Sequence, residues 1–155
     1  MCYYGIKADS VSNFNVEEIE VNGIRYTNIE KRGQSPCGIH INKGTNIRVH
    51  RCIVTNMNVT SDTCAGIQVL ETVGGKIIDC TLTNFANTDG AVQGYSYILS
   101  RELTTSTCSA SNFQSFFNGN TETLGHTVLG FVPILCLDLL YENCTSTDLT
   151  GCCDD

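Results

Sequence analysis

Apolar and polar residues alternate along this chain in short runs. Ile39 and Ile41 flank one polar residue, as do Ile47 and Val49, and Ile67 and Val69. A period of two predicts half-buried strands. Gly, Asn, Thr and Asp stand between the runs, and these are turn-forming residues. A short strand of this kind cannot bury its apolar face alone, so its partners must come from elsewhere in the chain. The longest apolar run, from Val128 to Leu137, ends at Asp138 and is too short to span a bilayer.

The partners are found by self-similarity. Five segments open with Gly and an apolar or aromatic residue, at Gly5, Gly38, Gly66, Gly94 and Gly130, spaced by 33, 28, 28 and 36 residues. Fourteen residues past each Gly stand Ile19, Cys52, Cys80, Cys108 and Cys144. Eighteen past stand Gly23, Asn56, Asn84, Asn112 and Asp148, and in the middle three units a large apolar residue follows: Met57, Phe85 and Phe113. This pattern predicts an all-β chain, a right-handed parallel β-helix (a solenoid) of about five coils stacked about 4.8 Å apart. Residues 1–155 form a single domain with coils starting near 5, 38, 66, 94 and 130. Cys, Ile, Val and Phe at repeating positions form internal ladders. Asn at the repeating turn tolerates left-handed backbone and bonds to the Asn of the next coil. The longest insertion covers 114–129. A second lies between Ile24 and Pro36, where Ile24, Tyr26 and Ile29 read as a further strand. Gly74-Gly75 reads as a turn between strands.

Composition narrows the functional classes. The chain has 14 Gly, 10 Cys, 2 Pro, no Trp and a formal charge of −7 with only 9 Lys and Arg. Phosphate neutralisation needs basic clusters, so nucleic acid is not an expected partner. The start, MCYYGIKADS, lacks a basic region followed by an apolar stretch, so neither a secretory signal nor membrane insertion is expected. Cys52, Cys80, Cys108 and Cys144 are expected to point inward as free thiols, because stacked side chains lie farther apart than a disulfide allows. Reduced thiols favour the cytoplasm, or a virion assembled there. If a disulfide forms, Cys37 with Cys64 is the pair to test, since both precede a repeat start. Cys152 and Cys153 are adjacent, and His40, His50 and His126 are scattered, so no metal site is expected.

The Gly-Ile-x-Ile opening at Gly38, the Gly-Ile-x-Val opening at Gly66, the Cys/Ile ladder and the turn Asn together resemble the pectin-lyase-like right-handed β-helix superfamily. The resemblance runs from Gly5 to about Asp148. Proteins of that kind include polysaccharide lyases, polygalacturonase-like hydrolases, mannuronan epimerases, phage tailspikes, viral fibres and adhesins, so it implies architecture more than activity. Such proteins usually carry a helix capping the amino-terminal end of the core. None is read before Gly5, and the last coil runs into TGCCDD. Open solenoid ends expose core, which predicts a homo-oligomer or larger assembly.

Two columns of equal offset are candidate sites. Thirteen residues past each Gly stand Glu18, Arg51 and Asp79, then Thr107 and Asn143. Glu18, Arg51 and Asp79 are the candidate catalytic residues: a lyase needs a base near carboxylates that hold Ca2+, and a hydrolase needs flanking carboxylates. Their plain alternative is a solvated salt-bridge ladder. Two residues past each Gly stand Lys7, His40, Gln68, Ser96 and Val132, an outward column without carboxylates. Lys7, His40, Gln68 and Ser96 are the candidate binding residues, with His40 read as a surface side chain. No cofactor is expected, with Ca2+ entering only under the lyase reading. Asn58-Val59-Thr60 and Asn143-Cys144-Thr145 match the glycosylation pattern. The expected function is a non-enzymatic structural or binding module, a component of a viral particle or fibre or a carbohydrate-binding surface. The alternative is a polysaccharide lyase, hydrolase or epimerase acting on acidic or neutral glycans.

Overall fold

The short alternating runs become strands of three to eight residues in a computed structural model, which describes residues 4–27, 35–60, 63–88, 90–116 and 127–151. The first coil holds β1 (Tyr4–Asp9), β2 (Asn15–Glu17), β3 (Glu20–Asn22) and β4 (Arg25–Thr27). The second holds β5 (Cys37–Asn42), β6 (Thr45–His50) and β7 (Ile53–Thr60), and the third β8 (Thr63–Leu70), β9 (Val73–Ile78) and β10 (Thr81–Asn87). The fourth holds β11 (Ala91–Ile98), β12 (Arg101–Ser106) and β13 (Ser109–Ser115), and the fifth β14 (Val128–Ile134), β15 (Leu137–Glu142) and β16 (Thr145–Gly151). Three parallel sheets result: sheet A in the order β1-β5-β8-β11-β14, sheet B as β2-β6-β9-β12-β15, and sheet C as β3-β7-β10-β13-β16. The chain is a right-handed parallel β-helix of about five coils.

The register follows the repeat. Ile39, Ile67, Tyr95 and Phe131 stack in sheet A, and Met57, Phe85 and Phe113 stack in sheet C. The Phe85 and Phe113 rings are 4.5 Å apart and nearly parallel. β4 pairs with the second half of β7, whose first half pairs with β3. The further strand expected from Ile24 and Tyr26 is therefore present, while Ile29 lies outside the described residues. β13 reaches Ser115 and β14 starts at Val128, so the described ends of the 114–129 segment are strand; 117–126 lie outside the described residues.

The coil turns by a fixed set of left-handed residues. Positive φ recurs 5, 8, 13 and 18 residues past each opening Gly: Ser10, Asn13, Glu18 and Gly23 in the first coil, and Lys43, Asn46, Arg51 and Asn56 in the second. Coils three to five repeat it through Glu71, Gly74, Asp79 and Asn84, then Leu99, Glu102, Thr107 and Asn112, then Leu135, Asp138, Asn143 and Asp148. Left-handed geometry costs most residues about 1–2 kcal/mol, and Asn or Asp less. Gly74 takes one of these positions inside β9, so Gly74-Gly75 is part of a strand rather than a turn between strands. The opening Gly has another cause. A Cβ on Gly38 would meet Val54 and lie 2.6 Å from the Gly66 carbonyl oxygen, because sheets A and C approach closely there.

Ile39, Ile41, Ile47, Val49, Ile67 and Val69 are all buried. Full burial of such a side chain contributes roughly 1.5–3 kcal/mol. Cys52, Cys80 and Cys108 are buried in the core, and Cys144 packs against it at the last coil. Each thiol donates to the carbonyl two residues before it and to one in the preceding coil, as Cys80 does to Ile78 and Val49. Ser100, next to a left-handed residue like the ladder cysteines, bonds in the same way, and Thr72 donates to Leu70 and accepts from the Gly44 N–H of the preceding coil. The described cysteines are all free. Cys37 and Cys64 are both free thiols. The Cys37 thiol lies on the outer side of sheet A with Gln68, whereas Cys64 belongs to the core cluster. Burial pushes the Cys37 thiol up to about 12. Cys152, Cys153 and His126 lie outside the described residues.

Candidate functional site: a charged corner and a hydroxyl-amide face

Glu18, Arg51 and Asp79 occupy one of the left-handed positions, at the corner between sheets B and C. Equal offset brings them to the same corner but does not join all three. Arg51 Nη2 lies 2.5 Å from Glu18 Oε1 and 3.2 Å from Glu17 Oε1. Asp79 pairs instead with His50, whose Nε2 is 3.4 Å from Asp79 Oδ2. The other ring nitrogen of His50 is 2.7 Å from Glu17 Oε1, with Arg48 Nη2 3.2 Å from that same nitrogen. The imidazole thus stands between a carboxylate of the first coil and one of the third. Hydrogen bonds from His50 and Asn15 hold the Glu17 carboxyl below its usual range. Glu17, His50 and Arg48 were missed by the offset reading because it followed one column. Glu17 and His50 share the adjacent column, in register with Ile78. Glu17, Glu18 and Asp79 each face Arg51 or the imidazole of His50.

The second column reads differently. Lys7, His40, Gln68, Ser96 and Val132 are neighbours in register on sheet A. Lys7 turns to Asp9 at 3.0 Å. His40, expected at the surface, is 8 % exposed, with Nδ1 3.0 Å from Gln68 Oε1 and its ring 4.9 Å from that of Tyr4. Burial lowers the His40 pKa, against the opposing bond to Gln68. Ser96 is fully buried, and its hydroxyl has no hydrogen-bond partner. The structure joins His40 to Gln68 and leaves Lys7 and Ser96 apart from them. Much of this face is buried: Cys37, Ala65, Ser96 and Val132 are at most 8 % exposed.

The outer side of sheet C has a third character. Its middle strands β7, β10 and β13 contain no charged residue. Two hydroxyl-rich columns run through it: Thr81, Ser109 and Thr145, and Thr55, Thr83, Ser111 and Thr147. Ser111 bonds to Thr83 at 3.2 Å. Beside them, Asn112 donates to Asn84 at 2.6 Å, Asn84 to Asn56 at 3.2 Å, and Asn56 to Asn22 at 3.0 Å. The expected Asn ladder is therefore present. It ends on Asn22 because Gly23 holds the left-handed position in the first coil. Asn22 in turn donates to Glu20 at 3.2 Å. The missing side chain at Gly23 leaves a groove of about 430 Å³, lined by Asn22, Arg25, Asn56, Asn58, Asn84 and neighbouring residues. Arg25 has no ion-pair partner among the described residues. The sequence signal for this face is Thr-x-Thr-Asn, seen in Thr81–Asn84 and echoed in Ser109–Asn112 and Thr145–Asp148.

Among the described residues no group of three or more His, Cys, Asp or Glu is placed to hold a metal ion. Nor is any helix there long and apolar enough to cross a membrane. The chain matches no family model, no characterised protein and no solved structure.

Proposed function

We propose that this chain is a non-enzymatic binding module of the pectin-lyase-like kind, which engages a carbohydrate through the outer side of sheet C. The observation that carries this reading is the set of in-register hydroxyl and amide columns on an exposed face beside the Gly23 groove. Each primary amide has two N–H donors and two acceptor sites, and the ladder uses only part of them. The remainder point to solvent and suit hydroxyl-rich ligands. Homo-oligomerisation accompanies this reading. Among the described residues the outer strands of all three sheets are unpaired on one side, and Leu135, Leu137 and Leu140 of the last coil are exposed.

The enzyme alternative rests on the Glu18, Arg51 and Asp79 corner, with Ca2+ as its lyase cofactor. Its basic and acidic groups are already engaged with one another, which favours the ladder reading. The test is a polysaccharide panel scored twice, for retention of the protein and for product release. Retention without product supports the module. Product that disappears in Arg51→Ala sinks it in favour of the enzyme.

A further inference from the structure

We infer that the ligand of the sheet C face is a neutral, extended polysaccharide, lying along the helix axis with one sugar ring in the Gly23 groove. This rests on the binding reading above and names the ligand class.

Charge is the first argument. A chain of net charge −7 repels polyanions over distance, and β7, β10 and β13 offer them no cation. At the first coil, Arg25 and Glu20 are of opposite sign on the same sheet. Among the described residues, Arg25 is the one charged residue lining the groove. The guanidinium has five donors, all of which suit sugar hydroxyls as well as anions.

Periodicity is the second argument. The columns offer a hydroxyl or an amide once per coil, about every 4.8 Å along the axis. A ligand uses the same column repeatedly only if it repeats itself. Sugar hydroxyls both donate and accept, matching the spare N–H of Asn56, Asn84 and Asn112 and the spare lone pairs of Asn56 and Asn112; Asn84 Oδ1 already accepts from Asn112 and Thr83.

The groove is the third argument. Its volume of about 430 Å³ lies within the usual range for small-ligand pockets. It exists because the first coil carries Gly23 where the next three carry Asn. A Cβ at Gly23 would meet nothing within 4 Å. Gly23→Asn therefore puts a side chain into the groove with no clash at Cβ. At φ +78 an Asn is tolerated, and it would continue the ladder.

The test is affinity electrophoresis of the full chain in gels containing xyloglucan, galactomannan, polygalacturonate or alginate, at low and high salt. The inference expects retention by a neutral polymer, unchanged by salt. Thr83→Val and Ser111→Ala should each weaken it about three- to tenfold, the loss of one hydrogen bond. Gly23→Asn should weaken it more, with an unchanged or raised melting temperature. Retention by the acidic polymers alone, abolished by salt, overturns the neutral class and leaves the binding face standing. Retention by none of the four, with folding intact, overturns both. Wild-type retention of Gly23→Asn overturns the groove as a seat.

Discussion

The charged corner and the hydroxyl-amide face are built on the same scaffold. Both are columns of equal offset, both use left-handed residues, and both stack at the spacing of the coils. They differ in what is left over. At the corner, Glu17 faces His50, Glu18 faces Arg51, and Asp79 faces the other side of His50. The polar groups there are engaged with one another. On sheet C, amides and hydroxyls bond along the column and still keep donors and acceptors for solvent. In a stacked fold, a column that closes on itself holds coils together, and one with spare hydrogen-bonding capacity is available to a ligand.

The comparison can be broken at its foundation first. Phe113 is fully buried, stacks on Phe85 and lies beneath the sheet C face. Phe113→Ala should cost about 3–5 kcal/mol in urea denaturation and disturb the face above it. A change below 1 kcal/mol would mean that the ladder is not a packed core. Next comes the ladder itself. Asn84 bonds to Asn56 on one side and Asn112 on the other, and holds φ near 62°. Asn84→Ala loses both ladder bonds, a third from the Thr83 hydroxyl and the left-handed tolerance of Asn, a loss of about 2 kcal/mol. Asp79→Ala loses the same left-handed tolerance but only the contact with His50, so it should cost less; equal losses would erase the distinction between the two columns.

A smaller effect runs the other way. Leu99 is 52 % exposed at φ 51, and Leu99→Asn should stabilise by up to about 1 kcal/mol, read as a higher urea midpoint. No gain would show that left-handed geometry costs nothing at that corner. The smallest effect is the pH response of the charged corner. Glu17 has a folded pKa below its ordinary value of 4.5, chiefly through His50. Its contribution is complete above that value and is lost as pH falls through the lower, folded pKa. Stability of the wild type should therefore fall more steeply below about pH 4.5 than that of Glu17→Gln. Parallel curves would remove His50 as its partner.

Architecture was legible because the sequence repeats its constraints. Gly38 and Gly66 mark where sheets A and C nearly touch, and Asn56, Asn84 and Asn112 mark a left-handed turn. Cys52, Cys80 and Cys108 mark an inward position that takes a small hydrogen-bonding side chain. The candidate sites were legible only as columns. Arg51 was expected between Glu18 and Asp79, but a long side chain reaches the adjacent column as easily as its own, and His50 took Asp79. Thr-x-Thr-Asn was visible in the sequence, but it reads as turn and strand chemistry until three coils bring its hydroxyls into line.

By itself, the sequence determined the number of coils, their phase and the inward side chains of most strands. Stacking puts equal offsets in contact, so a repeated residue is a repeated neighbour. Only the tertiary structure decided which outward columns are open. Alternation marks His40 and Ser96 as outward, yet both are buried, whereas Thr81, outward by the same rule, is exposed. Exposure of an outer face depends on everything packed near it, and a period of two reports only which side of the strand a residue occupies. The Gly23 groove is tertiary for the same reason: a missing side chain becomes a cavity only when the coil beside it supplies the walls.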